Sequence, residues 1–203
     1  MEEKELKIVE GATKVFMQYG IKSVNMDDVA KHLGVSKKTL YVYVKDKEEL
    51  VRKSFDMFCA FEDRQIEAIV AKKLPAIEES FEIMKWVLSI LQNLHPSVIF
   101  DMEKYHPDVY TDMMQNRHKM IFTCMVDNMK KGQKEGMYRK DFDPEIVARL
   151  YMAHMEGMLN PRIMPFGLFN LSDVYKTAYR YHLHGIISMK GLEYLKENNK
   201  NFK

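Results

Sequence analysis

Cysteine is nearly absent from this sequence: Cys59 and Cys124 are its only two. Two thiols cannot make a disulfide framework, so a reducing, cytoplasmic setting is expected, with both as small buried or half-buried side chains. No run of about 18 apolar residues occurs, which excludes a helical membrane span and any membrane partner of that kind. The N-terminal stretch is acidic and amphipathic and does not read as a signal peptide. Motifs of catalysis are missing too: there is no GxSxG, GxGxxG, phosphate-binding loop, CxxC or HExxH. Among the seven histidines, His182 and His184 stand two apart, on different faces of a helix, while His95, His106 and His118 lie on separate segments. No enzyme, no metal site and no cofactor are therefore expected, and His154 or His182 is read as a buried, hydrogen-bonded polar group.

Strong net charge is lacking as well, with 31 Lys and Arg against 29 Asp and Glu. The small excess is nevertheless placed unevenly. Residues 1–55 hold 11 basic and 9 acidic residues, leaving 20 of each for the rest. From Lys31 to Lys45 there are four lysines (31, 37, 38 and 45) and no acidic residue. A local positive segment of this kind suits a polyanion such as DNA better than the overall balance suggests.

What fills the chain is helical pattern. Ile8, Val9, Ala12, Val15, Phe16 and Tyr19 follow i, i+3, i+4 spacing and predict a first helix over about 3–19, stopped by Gly20. Asn25 with Asp28 three residues later reads as a capped start to a second helix, whose apolar face is Val29, Ala30 and Leu33. Gly34 makes a tight turn, and Ser36 caps a third helix to about Val44. Two short helices around a glycine turn make a helix-turn-helix, whose second helix enters the DNA major groove by its N-terminal residues. Lys37, Lys38 and Thr39 are thus the candidates for base edges: Lys donates to guanine, and the Thr methyl meets a thymine methyl. Asn25, Ser36, Tyr41, Tyr43 and Lys47 are the candidates for positioning phosphates, Lys47 because it stands at the N-terminus of a further helix.

These residues resemble the TetR family of transcriptional regulators. The matching elements are Phe16 to Gly20, Val29-Ala30-Lys31-His32-Leu33-Gly34-Val35-Ser36, Leu40-Tyr41-Val42-Tyr43-Val44 and Lys47-Glu48-Glu49-Leu50. Together they cover about a quarter of the chain. Val44 departs mildly from the commoner Phe, and Lys37 and Lys38 fall where the family varies. The resemblance implies an all-α protein: a three-helix DNA-binding domain over 1–47 and a larger ligand-sensing and dimerisation domain over 48–203, about nine helices in all. It also implies a homodimer on a palindromic DNA operator and a small-molecule effector. The expected function is that of a ligand-responsive repressor released by an apolar or amphipathic effector. The alternative is a helical, DNA-associated protein-interaction module with no effector.

The body is read as helices over about 46–71, 75–94 (Pro75 at its first position), 96–105, 107–135 and 144–159, then one from Leu171 or Ser172 to Leu195. Two stripes, Ile146, Val147, Leu150, Ala153, Gly157 and Met158, and Val174, Ala178, Tyr181, His182, Gly185, Ile186 and Met189, with small residues that permit close approach, are expected to meet a second subunit, as the resemblance implies. Trp86, Phe100, Tyr105, Tyr110, Met114, Phe122 and Met125 are the candidates for lining an effector pocket, because aromatic and Met side chains fill and adapt to irregular apolar space. The loop over 160–167 is read as a cover for that pocket or an extension of the dimer contact, and the tail over 197–203 as a frayed polar end.

Overall fold

The first helix, α1 (Glu3–Tyr19), buries one stripe, Ile8, Val9, Ala12, Val15 and Phe16, as its 3.6-residue period requires. The structure is a computed structural model that describes residues 2–160, 162–165 and 168–198. Pro161, Phe166 and Gly167 of the 160–167 loop, and residues 199–203 of the tail, lie outside the described residues, as do the expectations resting on them. Ten helices are present among the described residues: α1; α2 (Met26–Leu33); α3 (Lys37–Tyr43); α4 (Lys47–Val70); α5 (Ala76–Leu91); α6 (Val98–Tyr105); α7 (Pro107–Glu135); α8 (Pro144–Leu159); α9 (Leu171–Ile186); and α10 (Met189–Asn198). The protein is all-α, as its sequence predicts.

The chain divides into two compact units, residues 1–65 with 93–117, and 66–92 with 118–203. This differs from the expected division at 47/48. The first unit takes in most of α4, all of α6 and the first turns of α7. Its core explains why: Val98, Met102, Val109 and Met113 join one buried cluster with Phe16, Leu40, Val44 and Phe55. Each such side chain contributes roughly 1.5–3 kcal/mol when removed from water. Three short helices alone bury too little to stand by themselves, and α4, α6 and α7 complete their core.

The second unit packs Ala76, Ile77, Phe81, Val126, Met129, Tyr138, Ala148, Tyr179 and Leu183 together. A buried polar network runs through it. The Asn128 amide donates to Glu79 Oε1 (2.7 Å) and the Ala76 carbonyl (2.9 Å), and Lys131 Nζ donates to Glu79 Oε2 (2.7 Å). Tyr138 donates to Asn128 Oδ1 (3.1 Å). The carboxylate of Glu79 is thus buried only with its partners, as the cost of burying a charge demands.

Two helix boundaries differ from the expected ones. Pro75 is the N-cap of α5, and Glu135 of α7 takes the N–H of Ala76 (2.8 Å) that a capping side chain would otherwise hold. The expected final helix is two helices. At Ile187 the backbone leaves the helix to form an isolated antiparallel bridge with Tyr138, with Arg139 N–H donating to Ile186 O (2.8 Å) and Ser188 N–H to Met137 O (2.9 Å). Ser188 then accepts from Gly191 N–H (3.0 Å) and caps α10.

Candidate DNA interface

The helix-turn-helix is built by local hydrogen bonds. Asn25 Oδ1 accepts from the N–H groups of Asp27 (2.8 Å) and Asp28 (3.0 Å), while Asp28 Oδ2 accepts from Asn25 N–H (2.9 Å). This reciprocal box starts α2. Gly34, at φ 65°, makes the left-handed turn that a side chain would resist. Ser36 Oγ accepts from Thr39 N–H (3.0 Å), and the two hydroxyls stand 2.8 Å apart.

On α3, Leu40 and the following Val44 point into the core, which leaves the opposite side outward. Lys37 and Lys38 are exposed and Thr39 is half-buried. Lys37 Nζ pairs with Asp27 Oδ2 at 2.7 Å, an exposed pair that holds it against α2. Lys38 carries its charge into solvent. Tyr41 is exposed, whereas Tyr43 packs against the first core and lends its carbonyl to Lys53 Nζ (3.0 Å). Val42, 69% exposed, is a residue that the sequence reading does not single out. The signal is there: with Leu40 and Val44 inward, an apolar side chain at 42 must stand on the outer face, where it can meet a thymine methyl.

Lys47 is placed differently from a freely reaching phosphate clamp. Its Nζ donates to the Ile21 carbonyl (2.6 Å), and burial lowers its pKa. Beside it, Asp101 of α6 accepts from the N–H groups of Ile21 (3.0 Å) and Lys22 (2.9 Å) and from Ser97 Oγ (3.1 Å). The N–H of His95 donates to the Met17 carbonyl (2.7 Å). The turn between α1 and α2 is therefore gripped by residues some 80 positions away, an arrangement with no local sequence signature.

The residues expected to line a pocket are divided between the two units. Phe100, Tyr105, Tyr110 and Met114 belong to the first unit, and Trp86, Phe122 and Met125 to the second. Phe100 and Tyr105 lie on the outer face of α6, because Val98, Asp101 and Met102 take its inner face. Tyr110 and Met114 pack on the first core, and Phe122 and Met125 on the second. The Arg149 guanidinium covers the Phe122 ring at 4.7 Å. Burial pushes the thiols of Cys59 and Cys124 up to about 12 and about 11, which makes them poor nucleophiles. Among the described residues no three His, Cys, Asp or Glu side chains converge as a metal site, and no helix is long and apolar enough to cross a membrane.

Along the outer side of α9 runs an open groove of about 610 Å³ lined by Thr177, Arg180, Tyr181, His184 and Gly185. Tyr181 is 78% exposed there, and Ile146 and Leu150 of α8 are exposed at 60% and 64%.

Fold and site together define a helical, DNA-binding helix-turn-helix protein. Residues 8–53 match the family described as bacterial regulatory proteins, tetR family. The HTH-type transcriptional regulator YhgD of Bacillus subtilis is 28% identical over 152 residues, covering 72% of this chain and 79% of its own. The HTH-type transcriptional repressor KstR2 of Mycolicibacterium smegmatis is 23% identical over 146 residues, covering 70% and 71%. A transcriptional regulator from Saccharomonospora viridis, solved in complex with choline, shares the fold with a TM-score of 0.68 at 17% identity, over 93% of this chain and 100% of its own. Residues 8–53 thus carry a DNA-binding domain of the tetR-family kind, on a chain whose helical fold is shared with solved transcriptional regulators.

Proposed function

We propose that the protein is a homodimeric repressor that reads a palindromic DNA operator with α3 and is released by a small organic effector. The observation that carries the reading of DNA is the outer face of α3, where Lys37, Lys38, Tyr41 and Val42 are exposed on a helix otherwise anchored by Leu40. Lys38 and Thr39 reach base edges, with Val42 on a thymine methyl; Lys37 does so once its exposed pair with Asp27 exchanges for the base. Asn25, Ser36, Tyr41 and Tyr43 position the backbone, and Lys47 keeps two donors for a phosphate beyond the one it spends on Ile21.

Dimerisation is supported by the exposed apolar residues of α8 and α9, with Gly185 and the α9 groove permitting close approach. A two-fold protein matches two half-sites one helical turn apart. The repressor reading follows the name of the KstR2 relative. An effector is supported by the half-buried Trp86, Phe122 and Met125 of the second unit, and by the choline held in the Saccharomonospora viridis regulator. Release requires that the effector bind the DNA-free arrangement more tightly than the DNA-bound one.

Selection from a randomised duplex library tests the base contacts. Lys38→Ala is expected to change which sequence is enriched, costing about 1–3 kcal/mol of discrimination at one position. An unaltered preference removes Lys38 from the base-reading set.

A further inference from the structure

A second basic feature of the first unit lies outside the helix-turn-helix. Lys22, in the turn before α2, places its ammonium 5.0 Å from the centre of the Tyr105 ring. Lys104 of α6 approaches the same ring at 5.5 Å and that of Phe100 at 5.3 Å. Lys22, Lys104 and Tyr105 are all exposed. The carboxylate that acts on Lys22, that of Asp101, is buried and occupied by two backbone N–H groups and the Ser97 hydroxyl. The cluster therefore offers two cations and a phenol to solvent, and among the described residues no carboxylate forms a salt bridge with either lysine. The Tyr105 hydroxyl beside Lys22 holds that ammonium's pKa above its ordinary value, and Lys22 in turn lowers that of the phenol.

We propose that Lys22 and Lys104, held over the Tyr105 ring, make a second contact with the DNA backbone, on phosphates flanking the bases read by α3. This rests on the reading of the protein as a DNA-binding regulator. Three facts place the partner. Lys22 stands three residues before Asn25, so its backbone lies within roughly 11 Å of the α2 N-terminus. Successive phosphates on one strand advance about 3.4 Å along the axis, so a phosphate held at α2 has neighbours within a lysine's reach of Lys22. Lys47, the phosphate candidate on α4, is bonded to Ile21, the residue next to Lys22. Contacts thus link Lys47 of α4 to the α1–α2 turn, and Lys22 of that turn to Tyr105 at the end of α6.

Rigidity is what such a contact gains from the Asp101 grip. The backbone of Lys22 is fixed by its N–H, and its side chain rests on an aromatic face, so less conformational freedom is given up when a phosphate arrives. Phosphate contacts carry no base information, so this edge contributes affinity and register, and α3 keeps the sequence preference.

The test is the salt dependence of affinity, measured by fluorescence anisotropy with the full chain on a duplex that the unaltered protein binds saturably. In Lys22→Gln/Lys104→Gln, the slope of log K against log[salt] is expected to shrink by about 2, near 0.9 for each phosphate no longer neutralised, with the preferred sequence unchanged. Lys130→Gln, an exposed lysine on α7, is expected to leave the slope as it was. Trimming the duplex to the bases under α3 is expected to erase the difference between the double variant and the unaltered protein. An unchanged slope in the double variant, while the unaltered protein binds, overturns this contact and leaves the regulator reading standing. Failure of the unaltered protein to bind any duplex overturns both.

Discussion

Gly20 shows how much one residue can settle. It ends α1 at φ 84° and ψ 163°, a conformation that a side chain resists. A Cβ there would also stand 2.6 Å from Ser97 Oγ, 3.3 Å from His95 Nδ1 and 3.4 Å from Asp101 Oδ2. Gly20→Ala is expected to cost about 1–3 kcal/mol from the backbone alone, and to loosen the grip of Asp101 on Ile21 and Lys22. A denaturant midpoint equal to that of the unaltered protein would contradict this. His182 carries a pH prediction. Burial in the second unit, with a smaller contribution from His154, lowers its pKa from 6.5 to about 4. Its ring packs edge-on against Tyr151 at 4.8 Å. As pH falls below about 6.5 the unfolded chain takes a proton there that the folded chain refuses, so stability declines until about pH 4 and the effect then levels off. Thermal melts of His182→Phe are expected to show a flatter decline across that window; an identical decline would show that His182 is not its source.

At the scale of elements, the legible boundaries were those with local chemistry. Asn25 and Asp28 form the expected box, Ser36 caps α3, and Asp143 accepts from Glu145 N–H (2.7 Å) ahead of Pro144 to start α8. Pro107 and Gly136 bracket α7 as their stereochemistry requires. The break between α9 and α10 was hidden, because Ile186, Ile187 and Met189 continue an apolar helical pattern and the cause lies in Tyr138, about 50 residues away. Ser188 was its one local trace. Ser188→Ala is expected to cost about 1 kcal/mol through removal of the α10 cap, seen as faster amide exchange at Gly191. Unchanged exchange would show that the tertiary bridge alone starts the helix. The inward or outward aspect of α6 was equally hidden. Its Phe100 and Tyr105 read as apolar wall, whereas Val98, Asp101 and Met102 take the buried face. The exposure of Lys37 and Lys38 is legible from their place at a helix N-terminus; the ties of Lys37 to Asp27 and Lys47 to Ile21 are not.

At the scale of the whole molecule, the account requires a two-fold protein on DNA. Leu150 is 64% exposed on α8, so Leu150→Glu leaves the core untouched and is expected to turn a dimer into a monomer in sedimentation velocity. A variant that still sediments as a dimer would move the interface away from α8. The central claim, specific reading of DNA by α3, is tested most directly by fluorescence anisotropy of the purified chain on duplexes tiled across the region upstream of its own gene, at two salt concentrations. The account predicts saturable binding to one tile that survives competitor DNA and weakens with salt without vanishing. Uniformly weak binding, erased by salt on every tile, would contradict it.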